Sequence, residues 1–342
     1  EQVKRINQIK DDYDICITMG TGERIAYLAD LKYIPFYVGR DIDAPRFIKN
    51  SKEEWFDEPL HKLNFLERRF YKDTFDNAIE HIAYGWVFEH LKKFTDNGIK
   101  MDMEPVDPEL FNDNTKPLDR EKSKFTFFSP QRMGKPKGTD ILWKALEFCK
   151  TDFDILQVEW FDESTKEELD IKKRLIREKP KNVKFIPKIK RNDMPRYYNF
   201  SDAVIGNLRI GFHELITCES VLCKKPIVQY ANPKFKVLVD GKDVQIPFVP
   251  ESKDPKEIAK TIDKIVESEL FRKDLYEKQL QYIKKISDPV KVAKWWDEFL
   301  EGIIENHESI RKNSSKSSIK FRMFLFQIAN RLYLKKIRKL FN

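Results

Sequence analysis

Short apolar runs alternate with amphipathic stretches along most of this chain. Residues 14–18 (DICIT) form a brief apolar run ending in Met19-Gly20-Thr21-Gly22, and a helical pattern follows to about residue 32. Residues 34–38 (IPFYV) read as the next strand, stopped by Gly39-Arg40-Asp41. A charged, aromatic-rich helix is expected over 55–71, a strand over 79–84, a helix over 86–94 and a strand over 99–103. The polar, proline-containing stretch to residue 122 reads as a linker. From residue 125 the alternation becomes regular. Strands are expected at 125–128, 153–158, 183–186, 203–205 and 226–230. Helices at 139–150, 164–178, 194–200 and 212–223 lie between them, with Thr139 as a helix cap. Three further helices follow at 255–268, 270–286 and 288–306. Such alternation predicts an α/β fold with parallel, doubly wound sheets. In such sheets ligands bind outside the carboxyl ends of the strands.

The 342 residues give room for two domains. No run of 18 or more apolar residues occurs, so no membrane-spanning helix is expected. The four cysteines have no CxxC or zinc-like spacing and read as free thiols. The five histidines show no metal-ligand pairing, so no metal site is expected. The net charge of +8 is unevenly placed. Residues 309–342 hold ten basic groups and no acidic ones; the rest of the chain has 54 basic against 56 acidic groups, a net of −2. A nucleic-acid-binding domain carries its basic footprint on the folded body, so a nucleic-acid partner is disfavoured.

Two stretches carry candidate chemistry. In residues 210–230 (IGFHELITCESVLCKKPIVQY), Leu215, Glu219 and Leu222 share one helix face, which puts a carboxylate on an apolar stripe. Glu219 either pairs with a lysine such as Lys224, faces solvent, or accepts from the two hydroxyls of a sugar diol. In the last case the helix N-terminus at Gly211-Phe212-His213 offers its amides to a phosphate. The second stretch is SPQRMGKPKGTD at 129–140, which follows a strand and opens a helix. Its Arg132 and Lys137 are either a solvated basic loop or the cations of a diphosphate site. The spacing is not that of a P-loop.

Taken in order, SPQRMGKPKGTDILWKAL (129–146), FIPKIKRNDMPRYYNFSDAVIG (185–206) and IGFHELITCESVLCKKPIV (210–228) resemble the retaining group 1 glycosyltransferases, the large family with the E-x7-E motif. VDPELF at 106–111 is similar to the segment that ends the family's first domain. The resemblance implies a GT-B fold: two Rossmann-like, doubly wound domains facing a cleft. Residues 1–118 would form the acceptor-side domain, 119–287 the nucleotide-sugar domain, 288–308 a crossover helix and 309–342 a basic amphipathic tail. The strand, glycine-rich turn and helix that open the family's first domain are not found before Asp14, so that domain is expected to be incomplete.

The implied activity is transfer of a sugar, with retention, from a nucleotide diphosphate sugar to a glycan or lipid-linked acceptor. It needs no cofactor or metal. Arg132 and Lys137 would hold the diphosphate, with Gly211, Phe212 and His213 beside it. Glu219 would be the second glutamate of the motif and bind the ribose. The first glutamate's position is Gly211 here, with Glu214 nearby in another register. The family's first-domain histidine is replaced around Gly39-Arg40-Asp41. Asp41 and Glu214 are therefore the catalytic candidates, and Gly20 and Arg40 the acceptor-side ones. The missing residues motivate an alternative, a catalytically inactive GT-B nucleotide-binding protein. In the tail, Tyr333, Ile337 and Leu340 face one way at helical spacing and Arg331, Lys335 and Arg338 the other. Residues 319–342 either pack on the body or on another subunit, or bind an anionic membrane. The membrane reading places the protein in the cytoplasm, peripheral at the membrane.

Overall fold

The structure, a computed structural model, describes residues 1–39, 42, 45–49, 65–163, 165–239 and 241–307, together with 321, 324 and 328. The chain divides into two compact units. One comprises Glu1–Asp102 with Trp295–Asn342, and the other Met103–Lys294.

The first unit opens with helix α1 (Gln2–Ile9), which the apolar pattern did not announce. Strand β1 (Cys16–Thr18), helix α2 (Gly22–Ala29), β2 (Tyr33–Tyr37), α3 (Phe65–Asp76), β3 (His81–Tyr84), α4 (Phe88–Leu91) and β4 (Gly98–Met101) follow. All four strands are parallel and lie in chain order, β1-β2-β3-β4. The core here is built by Ala26, Tyr27 and Leu28 of α2 against Tyr33 and Phe70. The helix ends at Asp30, whose left-handed backbone (φ 60°) turns the chain back toward β2. The expected helix over 55–71 is observed from Phe65 onward; residues 55–64 lie outside the described residues.

The second unit holds β5 (Phe125–Ser129), α5 (Thr139–Leu146), β6 (Phe153–Val158), α6 (Lys166–Arg177), β7 (Val183–Ile186), α7 (Met194–Phe200), β8 (Ala203–Ile205), α8 (Leu215–Leu222) and β9 (Ile227–Val228). A hairpin of β10 (Lys236–Val239) and β11 (Lys242–Gln245) follows, then α9 (Pro255–Glu267) and α10 (Glu269–Ile286). Helix α11 (Pro289–His307) carries the boundary between the units, and its Trp296 meets Phe36 of β2 within the first unit. The sheet is parallel with order β7-β6-β5-β8-β9. The chain builds outward from β5 to β7, then returns to the other side of β5 with β8. That reversal makes the edge between β5 and β8 the place where a ligand is expected.

Residues Phe127 and Phe128 of β5 are fully buried, as a central strand covered on both faces requires. On one face Trp143, Leu175, Ile258, Ile262 and Leu275 pack against Phe127 and Phe153. On the other, Phe128 meets Tyr198, which in turn meets Phe111. Phe111 and Val106 are each 1% exposed, so the stretch read as a linker is docked in the core of the second unit. Asn199 fastens it further by donating to the carbonyls of Asn112 and Thr115.

Two local expectations are corrected. Thr139 is the first residue of α5 rather than its cap. Gly138 holds the cap position at φ 76°, and the Thr139 hydroxyl accepts from the Gly134 amide. Helix α8 begins at Leu215, not at Phe212. Glu214 is extended (φ −136°, ψ 169°), so the helical turn starts only after it. Glu214 holds the cap position: its backbone carbonyl accepts from the Thr217 amide at 2.8 Å and its own amide donates to the Thr217 hydroxyl at 3.0 Å.

Candidate functional site

The site is assembled from the loops that leave β5 and β8. Four hydrogen bonds join them. Gln131 donates to the Gly206 carbonyl at 2.8 Å, and the Leu208 amide to the Lys137 carbonyl at 3.2 Å. Asn207 reaches the Pro136 carbonyl, and Arg209 the Lys135 carbonyl. Arg209 also forks onto Asp140 with distances of 2.8 and 2.7 Å. Gly138 sits so close to this second loop that a Cβ there would lie 3.1 Å from the Leu208 carbonyl carbon. The rim beside the strand reversal is therefore held in one geometry, as a preorganised binding surface needs to be.

The two predicted cations sit on opposite sides of β5. The Lys137 ammonium meets Glu214 at 2.7 Å, and Glu214 also accepts from Asn207 at 2.8 Å. Glu214 follows β8, whereas Asp162, which binds Arg132 at 2.7 Å, follows β6. Each cation is thus engaged by a carboxylate, and an incoming diphosphate has to share or displace that partner. All four of these side chains are only partly exposed, so their charges are less screened than on an open surface. Asn207 and Asp162 were not singled out in the sequence. An asparagine after a strand reads as a turn residue, and a pair 30 positions apart leaves no local pattern.

Glu219 is 1% exposed. Its two oxygens are taken by Arg191 at 2.6 Å and by the Tyr198 hydroxyl at 2.9 Å. Burial pushes the Glu219 carboxyl up; the Arg191 charge and the hydrogen bonds from Tyr198 and Arg191 oppose it. Lys224, the lysine named as one possible partner, pairs with Asp113 instead. Arg191 lies over the Phe111 ring at 4.8 Å and is half exposed, so Glu219 reaches the surface only through it. Helix α8 is buried nearly all round, so the stripe of Leu215, Glu219 and Leu222 is not its inner face; both leucines are only partly buried.

Phe212 and His213 lie in the core, where the His213 ring bonds Tyr282 at 2.8 Å. Gly211 is buried as well, and a Cβ at that position would fall 2.6 Å from Asn232 Cβ and 2.7 Å from its amide nitrogen. No glutamate fits there. In the first unit Gly20 lines a recess with Arg24, Arg46 and Tyr71. Asp41 and Arg40 lie outside the described residues. Among the described residues no group of three His, Cys, Asp or Glu side chains is placed to hold a metal. None of the described helices is long and apolar enough to cross a membrane.

A parallel sheet whose strand order reverses between β5 and β8, with a hydrogen-bonded rim and Lys137 beside that reversal, has the layout in which α/β folds bind ligands. Sequence and structure comparisons identify its family. The profile of the group 1 glycosyl transferases matches residues 111–284, half of the chain and nearly all of the second unit. The chain belongs to the group 1 glycosyltransferases. No curated protein sequence matches it significantly. Its structure is similar to that of HepE from Anabaena in complex with UDP and glucose, at 18% identity and a TM-score of 0.65 over 88% of this chain and 81% of that one. It is also similar to sucrose-phosphate synthase from Thermosynechococcus elongatus, at 12% identity and a TM-score of 0.66 over 89% and 77%. A glycosyltransferase from Rickettsia africae matches at 18% identity and a TM-score of 0.56 over 92% and 81%. At these identities the likeness speaks for the fold, which is GT-B.

Proposed function

We propose that the protein moves a glycosyl group, with retention of configuration, from a nucleotide diphosphate sugar to a glycan or lipid-linked acceptor. The observation that carries the reading is the convergence of Lys137, Glu214 and Asn207 on the rim between β5 and β8. The donor diphosphate lies across the carboxyl end of β5, with Lys137 on the β8 side and Arg132 on the β6 side exchanging their carboxylate partners for phosphate oxygens. Charge builds on the leaving diphosphate in the transition state, so fixed cations there stabilise it more than the ground state. The scheme calls on no metal.

Glu214, freed from Lys137, is the acid placed to hold the donor sugar. The ribose belongs next to Glu219, with Arg191 swinging aside to open that carboxylate. Gly211 lets the chain pass close by, and Phe212 and His213 support the turn from the core. UDP is the first nucleotide to try, because HepE binds it in a similar fold. Residues 319–342 hold the protein at the cytoplasmic face of an anionic membrane; of these, Phe321 and Phe324 are exposed.

The test is slow transfer to water from a panel of UDP-, GDP- and ADP-sugars, followed by proton NMR. Release of the nucleotide with the free sugar appearing first as the donor's own anomer supports the reading. The opposite anomer first overturns retention, and no release from UDP-, GDP- or ADP-sugars overturns the activity.

A further inference from the structure

The first unit carries a recess that the donor scheme leaves unused. It opens at the carboxyl end of β1 and β2 and is lined by Gly20, Arg24, Tyr37, Arg46, Tyr71 and Phe75, among others.

Two guanidinium groups meet there on one phenol. Arg24 Nη1 donates to Tyr71 Oη at 2.9 Å and Arg46 Nη1 to the same oxygen at 3.0 Å. Each guanidinium carbon lies 5.4 Å from the centre of the Tyr71 ring. Among the described residues neither arginine has a carboxylate partner. Glu23 lines the recess too, and its carboxylate accepts from Tyr37 at 3.3 Å, so the described lining residues carry a net charge of +1.

This arrangement works against local stability. Two like charges share one neutral oxygen. Arg24 stands in the first turn of α2, where a cation opposes the helix dipole. Thr21, at the cap position of α2, makes no side-chain cap bond to the first-turn amides. The Tyr71 oxygen accepts from both arginines, which leaves its own hydrogen to donate elsewhere. An anion in the recess meets all of these needs at once. It takes the unused N–H groups of two guanidinium forks, one phenolic hydrogen and the amides at the start of α2.

We propose that this recess is a phosphate-binding subsite for a phosphate ester or diphosphate. Its identification with the acceptor's phosphate rests on the glycosyltransferase reading above; the anion site itself does not. The acceptor is then a phosphorylated molecule, either lipid-linked or a soluble sugar phosphate.

Calorimetry of the full chain with inorganic pyrophosphate, in saturating UDP to occupy the donor rim, tests it. Wild type is expected to bind one pyrophosphate. Arg24→Gln/Arg46→Gln is expected to bind it at least about tenfold more weakly, as loss of charged hydrogen bonds implies, with UDP affinity unchanged. No binding by wild type, or unchanged affinity in the variant, overturns the proposal. Arg24→Lys and Arg46→Lys keep the charge and lose the fork. If the double variant does not fold, these two decide: weaker binding in either supports the site, and unchanged binding in both overturns it. Tighter binding of an isoprenyl diphosphate than of glucose 1-phosphate assigns a lipid source, and the reverse order a soluble one. Failure of UDP to bind while the pyrophosphate site persists counts against the donor reading alone.

Discussion

Lys137 and Glu214 meet at 2.7 Å although 77 residues separate them, and they do so beside the edge where the strand order reverses. The pair joins the loop after β5 to the cap of α8. Lys137→Met is expected to weaken UDP binding by about tenfold or more, the usual effect of losing a charge-assisted hydrogen bond. Glu214→Gln removes the carboxylate that competes with phosphate and leaves the backbone bonds at the start of α8 in place. It should bind UDP at least as tightly as wild type while turnover falls. Titration calorimetry beside a UDP-release assay separates the two effects.

Arg191 shields the Glu219 carboxylate, so its removal leaves a buried acid with only the Tyr198 hydroxyl. Arg191→Met is expected to cost about 1–3 kcal/mol near neutral pH, less than for a fully buried pair because Arg191 is half exposed. The sign with pH follows from the raised carboxyl. A group whose folded value lies above its unfolded one gives stability that is lost as pH rises. The variant should therefore lose more at pH 8 than at pH 5 in urea unfolding.

Gly211 occupies the register of the family's first glutamate, which invites restoring it. The geometry predicts failure. At φ 85° and with Asn232 backbone 2.7 Å from any Cβ, Gly211→Glu is expected to destabilise the second unit by about 3 kcal/mol or more. Gly211→Ala should show most of that loss in thermal unfolding, since the clash begins at Cβ.

Within the first unit, His81 is buried between Phe75, 4.1 Å away centre to centre, and Tyr37, whose hydroxyl is 3.3 Å from its ring nitrogen. Burial lowers its pKa from 6.5 to about 4, partly offset by the charge of Asp76. The unfolded chain takes up the proton first as pH falls. Stability is therefore full above about pH 6.5 and declines toward pH 4. Between pH 7.5 and pH 5 the expected loss is about 2 kcal/mol. His81→Phe should remove most of that dependence when unfolding is followed at both values.

The regular half of the fold was legible because its strands are short, apolar and separated by helices of ordinary length. The alternation foretold the parallel sheet but not its order, β7-β6-β5-β8-β9, which pairings between distant strands set. The start of α8 was misplaced because Phe212 and His213 are apolar enough to extend the helical pattern. Their burial instead serves the core, and the cap is Glu214 with Thr217 three residues on. The hairpin at β10 and β11 escaped notice because one of its strands is exposed and polar. Glu219 was visible as an anomaly on α8, but its partners Arg191 and Tyr198 come from other elements. The Arg24–Tyr71–Arg46 cluster had no signature at all, since it gathers residues 22 and 25 positions apart.

On the reading proposed above, the rim between β5 and β8 binds a nucleoside diphosphate. Thermal unfolding of wild type and Lys137→Met with UDP, GDP and ADP tests it most directly. A ligand at about 100 times its dissociation constant adds roughly 2.7 kcal/mol, a shift of several degrees. Stabilisation of wild type by one nucleotide, lost in Lys137→Met, is the predicted result. Stabilisation by none of the three, or an equal shift in both proteins, would contradict it.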